Sequence, residues 1–365
     1  ELAELGAVYD SGALSNRNII INGAMKVAQR GTSTTTSGDY LIDRFAADNA
    51  GGTVTYEQVS LSSSDTPYSS GFRNAAKLTN TSAGSAAATD YRRLMYRVEG
   101  QDMAGSGWNY ISSSSSITLS FWVKSSLAGT YSVSFHALDG TAQAYSFDYT
   151  VVADTWKKIT HTLPGNSNLT FDNDTGQSFR ISIWPYIGTN FTTSSHTDEA
   201  WAAYDSSSQA GDFAQNWAST ASATFFVTGV QFEVGTEATP FEHRSFGDEI
   251  ARCQRYFYQP VNNTVSGQRH GFYDAAAYSS SSTIYGVIRF PVTMRSAPSY
   301  TVNNIGEFRI RSGGDTVATG SNIHGSISAN SAMPTFTASG TTFTAGRHTW
   351  VETLVDGQIF FDAEL

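Results

Sequence analysis

Apolar and polar residues alternate one for one through run after run of this chain. Leu119, Phe121 and Val123 alternate with Ser120 and Trp122, and Tyr131, Val133 and Phe135 with Ser132 and Ser134. Tyr145, Phe147, Tyr149 and Val151 repeat the period. Phe179, Ile181 and Ile183 do so again around Arg180 and Ser182. Successive side chains of a strand point to opposite faces, so a period of two marks strands with one buried face. Turn signals fall roughly every ten residues between these runs, the spacing of an antiparallel β-sandwich.

The chain has 365 residues, room for two or three domains with real cores. Charged residues are 15% of it, against about 25% in an average domain. Ser, Thr, Asn and Gly make up the difference, and 13% aromatics argue against disorder. The formal net charge is -10, and lysine occurs only at Lys26, Lys77, Lys124, Lys157 and Lys158. Nucleic acid is therefore a poor partner, because the positive stripe that drives phosphate binding is missing. Membrane insertion is not expected either. No run approaches the ~18 apolar residues of a span, and an acidic surface is repelled by anionic lipid. A single cysteine, Cys253, allows no intrachain disulfide, so stability must come from packing or subunit association. Glu1-Leu2-Ala3-Glu4 lacks both an initiator Met and the basic start of a signal peptide, as expected for a piece of a longer product.

Four segments follow. Residues 1–15, with Leu2, Leu5 and Tyr9 at helical spacing, read as a leader or stalk end. Residues 16–245 hold the alternating runs, opening with strand at Asn18–Ile21 and Met25–Val27 and closing with Phe225–Val234. Residues 246–260 read as a connecting helix. Ser245 and Asp248 stand at capping-box spacing, Ile250, Cys253, Tyr256 and Phe257 share a face, and Pro260 ends it. Residues 261–365 form a smaller β domain with strands at 283–290, 300–302, 308–310, 342–343 and 359–365.

A search for chemistry finds no zinc-ligand spacing among the histidines, no nucleophile elbow and no phosphate loop. Asp172-Asn173-Asp174-Thr175-Gly176 places alternate carboxylates before a glycine, as a calcium loop does. It lacks the third acidic position and the distal glutamate, and an Asx-rich turn is the competing reading. Asp198-Glu199 beside Trp201 has the residue types of a glycosidase acid pair, but strand neighbours point to opposite faces. The aromatic segment after Ile183 is the strongest binding candidate. Trp184, Tyr186, Phe191, Trp201, Tyr204, Phe213 and Trp217 stand there among Ser, Thr, Asp and Gln. Sugars stack their C–H faces on such rings while polar groups take the hydroxyls. The competing reading is a satellite core under a long loop, with Trp184 toward the core and Trp201 and Tyr204 toward solvent. Trp184, Tyr186, Trp201, Tyr204 and Trp217 are the candidate carbohydrate-binding residues. Tyr273, Tyr278, His348 and Trp350 are rivals in the second domain.

Two distant segments then suggest a family. Asn18-Ile19-Ile20-Ile21-Asn22-Gly23-Ala24-Met25 opens the first domain. Thr228-Gly229-Val230-Gln231-Phe232-Glu233-Val234-Gly235 and Thr239-Pro240-Phe241-Glu242-His243-Arg244 close it. The arrangement resembles the jelly-roll carbohydrate-binding modules, a galactose-binding-like β-sandwich whose first and last strands pair. Together with Ala28-Gln29-Arg30-Gly31, Cys253-Gln254-Arg255-Tyr256-Phe257-Tyr258, Phe290–Pro298 and Asp362-Ala363-Glu364-Leu365, it resembles a bacteriophage tail fibre or related virion appendage. That resemblance implies a homotrimer joined to upstream virion proteins, binding a bacterial surface glycan without chemistry. A capsid or baseplate decoration protein and a polysaccharide-degrading tailspike remain alternatives, and a free-standing cellulosome-type module would need a catalytic neighbour. The modules often hold a structural calcium between first and last strands. Lys26 and Thr228 stand where its acidic ligands are expected, so no cofactor is expected.

Overall fold

A computed structural model describes residues 16–212, 216–262, 268–277 and 279–365. The expected leader 1–15 lies outside them, as do Phe213 and Tyr278. The chain divides into two compact units, one running to Glu249 with Leu365, the other from Ile250 to Glu364. Among the described residues no helix is long and apolar enough to cross a membrane.

The first unit is a two-layer, antiparallel jelly-roll sandwich. Its strands are β1 (Ser33–Thr34), β2 (Asp39–Ile42), β3 (Phe45–Ala50), β4 (Thr53–Ser60), β5 (Asn74–Ser82), β6 (Tyr91–Glu99) and β7 (Ser116–Ser125). The chain continues through β8 (Gly129–Ala137), β9 (Gln143–Val151), β10 (Lys157–Pro164), β11 (Gln177–Ile187), β12 (Ala202–Ala203) and β13 (Thr224–Val234). One sheet has the order β1-β4-β5-β13-β7-β10 and the other β12-β9-β8-β11-β6-β3-β2. The alternating residues do what their period requires. Phe121, Phe225 and Phe232 of the first sheet face Tyr131, Phe135, Tyr149 and Phe179 of the second in one core. Phe232 stacks on Phe179 at 5.7 Å and on Phe135 at 6.1 Å, and Phe225 lies 5.3 Å from Tyr131.

The opening and closing segments lie side by side, as the split signature suggested. The Ile19 amide donates to the Phe232 carbonyl at 2.9 Å, and the Val230 amide to the Gly23 carbonyl at 2.9 Å. The expected strand at Asn18–Ile21 and Met25–Val27 is corrected, however: this stretch is irregular. The Asn18 side chain takes over ladder bonding, accepting from the Phe232 amide and donating to the Val230 carbonyl. Asn22 and Met25 adopt left-handed backbone at φ 61° and 57°, which no strand can accommodate. Arg17 adds an ion pair to buried Glu233 at 3.2 Å.

The helix spans Phe246–Gln254, not the expected 246–260: Phe257–Asn262 is strand, so Pro260 lies in a strand and does not end the helix. Ser245 caps it as its spacing predicted, accepting from the Asp248 amide at 3.1 Å and donating to the Asp248 carboxylate at 2.7 Å. Cys253 is fully buried, the place of a small apolar residue. The second unit holds a seven-stranded sheet over a core of Phe308, Ile310, Phe336, Val351 and Phe361. The strand expected at 342–343 is reduced to a single bridge between Phe343 and Ser281.

Candidate functional site

The outward face of the second sheet of the first unit carries most of this unit's unusual chemistry. There β6 presents Arg93 and Arg97, β11 presents Arg180 and Trp184, β8 presents Ser134 and His136, and β9 presents Ser146. Register sets their neighbours: Arg180 lies directly across from Arg97 on one side and His136 on the other. Arg97 is engaged by the Tyr40 hydroxyl. Arg93 is pinned by Asp48 at 2.6 Å, with its guanidinium 5.3 Å from the Trp184 ring and 5.4 Å from Tyr91.

The segment after β11 runs back over this face and along its β9 edge. Gln209 donates to the Phe191 carbonyl, Glu199 to the Ser146 carbonyl and Tyr204 to the Ala142 carbonyl. This brings Tyr204 onto His136, ring on ring at 3.8 Å with 13° between planes. Tyr204 also lies close to Arg180. One face of the half-buried tyrosine is therefore occupied by His136.

The described residues of this aromatic set do not share one exposed surface. Trp217 is fully buried and donates to the Thr224 carbonyl at 3.3 Å. Tyr186 is buried with its hydroxyl on the Ala86 carbonyl, and Trp184 is buried with its indole on Ser134 at 2.8 Å. None of these three offers a ring face to a sugar. Trp201 is half-buried rather than solvent-facing. It closes the sandwich edge against Tyr145 and Phe179, donating to the Pro164 carbonyl at 2.7 Å. Tyr204 alone of the five keeps a ring at the rim of the polar face. Arg93, Arg180 and His136 join it there without having been singled out in the sequence. The available signal was a pair of arginines on one face of β6, and Arg180 at the outward phase of β11.

Burial lowers the pKa of His136 to about 4, helped by the charges of Arg180 and Arg93. It is neutral at pH 7, and its Nδ1 must accept from Arg180 at 2.7 Å. The unfolded imidazole protonates near pH 6.5. Between about 6.5 and 4 the unfolded state binds more protons, so stability is full above that window and falls as pH drops through it. Burial lowers His161 too, so its contribution has the same sign. His136→Gln is expected to flatten part of this slope in chemical denaturation across pH 4 to 7. An unchanged slope would mean that His136 is not buried neutral.

Ser146, His196 and Asp198 also meet here, without the geometry of a nucleophile relay. Ser146 is fully buried, and both His196 Nε2 and Asp198 Oδ1 approach its hydroxyl at 2.5 Å. The other nitrogen, Nδ1, meets Ser208 at 3.0 Å, whereas a triad needs the acid on that side. Asp198 thus belongs to a loop anchor, and Glu199 is exposed. Asp174 accepts from the Gly176 amide at 2.8 Å, an Asx turn, and Asp172 receives no metal-like grouping. No group of three or more metal-ligating side chains occurs among the described residues.

In the second unit Tyr273 is buried and bonded to the Pro334 carbonyl. Trp350 is 38% exposed, with His348 6.0 Å away. Beside Trp350 the charged side chains are paired with one another. Arg269 bridges Asp315 at 2.8 Å and Glu352 at 3.2 Å, and Arg311 meets Asp315 at 3.2 Å.

No protein-family model matches this sequence, and no curated protein matches it. Solved structures show distant likeness. The family 11 carbohydrate-binding module of a Clostridium thermocellum cellulosomal cellulase aligns over 56% of this chain and 96% of its own, at 13% identity and TM-score 0.28. A sugar-binding protein from Bacteroides thetaiotaomicron, described as putative, aligns over 60% and 100%, at 11% identity and TM-score 0.31. A cyclase from Fischerella sp. TAU aligns over 62% and 98%, at 11% identity and TM-score 0.33. Scores of this size define neither a common fold nor a common ligand. The first unit is an all-β jelly-roll sandwich on its own strand order and register.

Proposed function

We propose that this chain is a non-enzymatic, receptor-binding part of a bacteriophage tail fibre or related virion appendage, holding a host-surface glycan on the outward face of the second sheet. The observation that carries the binding role is the Tyr204 ring laid on His136 beside Arg180 and Arg93. It sets an aromatic face next to convergent donors, which is what a saccharide requires. The virion assignment rests on the sequence resemblance, and with it a homotrimer attached to other virion proteins. Three copies bound to a repeating polymer would raise weak single-site affinity by avidity.

Tyr204→Ala removes the ring and leaves the strands untouched. Its expected effect is a loss of about tenfold or more in binding to host cells or purified envelope glycan, the size of one good aromatic contact. Unchanged binding by the folded variant would move the receptor site elsewhere, with the Trp350 face next in line. Failure of capsid or baseplate integrity without loss of adsorption, on deleting the protein, would support a decoration role instead.

A further inference from the structure

We propose, resting on the glycan-binding reading above, that the ligand of this face is an acidic saccharide whose carboxylate is taken by the Arg180 guanidinium. The chain as a whole carries a net charge of -10, yet Arg93, Arg97 and Arg180 are gathered on two adjacent strands. Arg97 and Arg180 are direct cross-strand partners, and like charges placed opposite one another destabilise a sheet. The strain is unequally relieved. Arg93 has Asp48, and Arg97 has the Tyr40 hydroxyl. Arg180 is half-buried, and its neighbours are the neutral His136 and Tyr204. Among the described residues no carboxylate forms an ion pair with it, whereas Arg269 and Arg311 of the second unit are both paired with Asp315 and Glu352.

His136 sharpens the point. Its Nδ1 accepts from Arg180, so its proton resides on Nε2, which is buried without a hydrogen-bond partner among the described residues. His136 thus takes a guanidinium N–H without bringing a counter-charge, and the face holds a permanent cation that calls for an anionic acceptor. A carboxylate answers the Arg180 guanidinium better than a neutral hydroxyl, because the planar fork matches its two oxygens. Beside it, the half-buried Tyr204 supplies an aromatic ring for the sugar that bears the acid group. A uronic acid residue combines these two features within one sugar.

Binding of the whole chain to three immobilised polymers tests this: polygalacturonate, the same polymer after carboxyl reduction, and dextran sulfate. Polygalacturonate is expected to bind, and the carboxyl-reduced polymer to bind about tenfold more weakly or less. Arg180→Gln should lose about tenfold or more on polygalacturonate, the scale of one charge-assisted hydrogen bond. Arg180→Lys should recover only part of it, since it keeps the charge and loses the fork. Arg269→Gln removes the same unit of charge from the second unit and is expected to change nothing. Thermal melts confirm that each variant is folded. Equal binding of the reduced polymer, a preference for dextran sulfate, or equal losses for Arg180→Gln and Arg269→Gln would overturn the acidic-saccharide inference. If neutral glycan binds and depends on Tyr204 but not on Arg180, the inference fails while glycan binding stands. Binding to none of these polymers or to host envelope glycan overturns both.

Discussion

Gly23→Ala is expected to destabilise the first unit by about 3 kcal/mol or more, through a clash no side-chain rotation can relieve. A methyl group built on Gly23 would lie 2.0 Å from the Val230 carbonyl oxygen and 3.1 Å from its carbonyl carbon. Both are backbone, on the strand that forms the centre of the first sheet. The two segments are tied there by the Val230 amide on Gly23 and the Ile19 amide on Phe232, so neither can retreat without breaking the seam. Denaturant unfolding followed by tryptophan fluorescence reads this unit well, because every tryptophan except Trp350 lies in it. An unfolding free energy within about 0.5 kcal/mol of wild type, the range of a bland surface change, would mean that the segments do not meet as described.

Phe135→Ala is expected to cost about 3–5 kcal/mol. Its ring is fully buried where the two sheets meet, between Phe147 at 6.1 Å, Phe179 at 5.9 Å and Phe232 at 6.1 Å. Those neighbours come from β9, β11 and β13, rigid strands that cannot collapse into the space a phenyl ring leaves. The cavity term therefore adds to the lost transfer free energy. Phe135→Leu keeps most of the volume and should cost distinctly less. Equal losses for the two variants would indicate that ring packing is not what holds the layers together.

Much of the sandwich was legible because its signal is local. Each alternating run could be assigned by itself, and Leu119 to Val123 or Tyr145 to Val151 needed no partner to declare a buried face. The helix start at Ser245 was legible for the same reason: a cap is a matter of three residues. The opening segment was misread where a side chain replaces backbone. The sequence Asn18-Ile19-Ile20-Ile21 looks like strand, but the Asn18 amide makes the contacts that strand pairing would make.

The binding face was legible only in part because it is assembled by register. Arg93, His136, Arg180 and Tyr204 come from four distant stretches and become neighbours through strand pairing. Clustering of aromatics along the chain pointed instead to Trp184, Tyr186 and Trp217. Those rings are needed to close the layers, and an apolar ring beside serines reads the same whether it is buried or displayed.

The position of β13 has a consequence for how the protein is made. It is the last strand of the first unit, yet it lies inside the first sheet between β5 and β7. Until residues 224–234 leave the ribosome, both neighbours expose bare edges of the kind that recruit other chains. Phe232, which fastens the layers, is also still missing. Synthesis cut short anywhere before that point leaves an adhesive half-product rather than a smaller working module, so cooperative closure by the final strand makes completeness of the polypeptide a condition of its solubility.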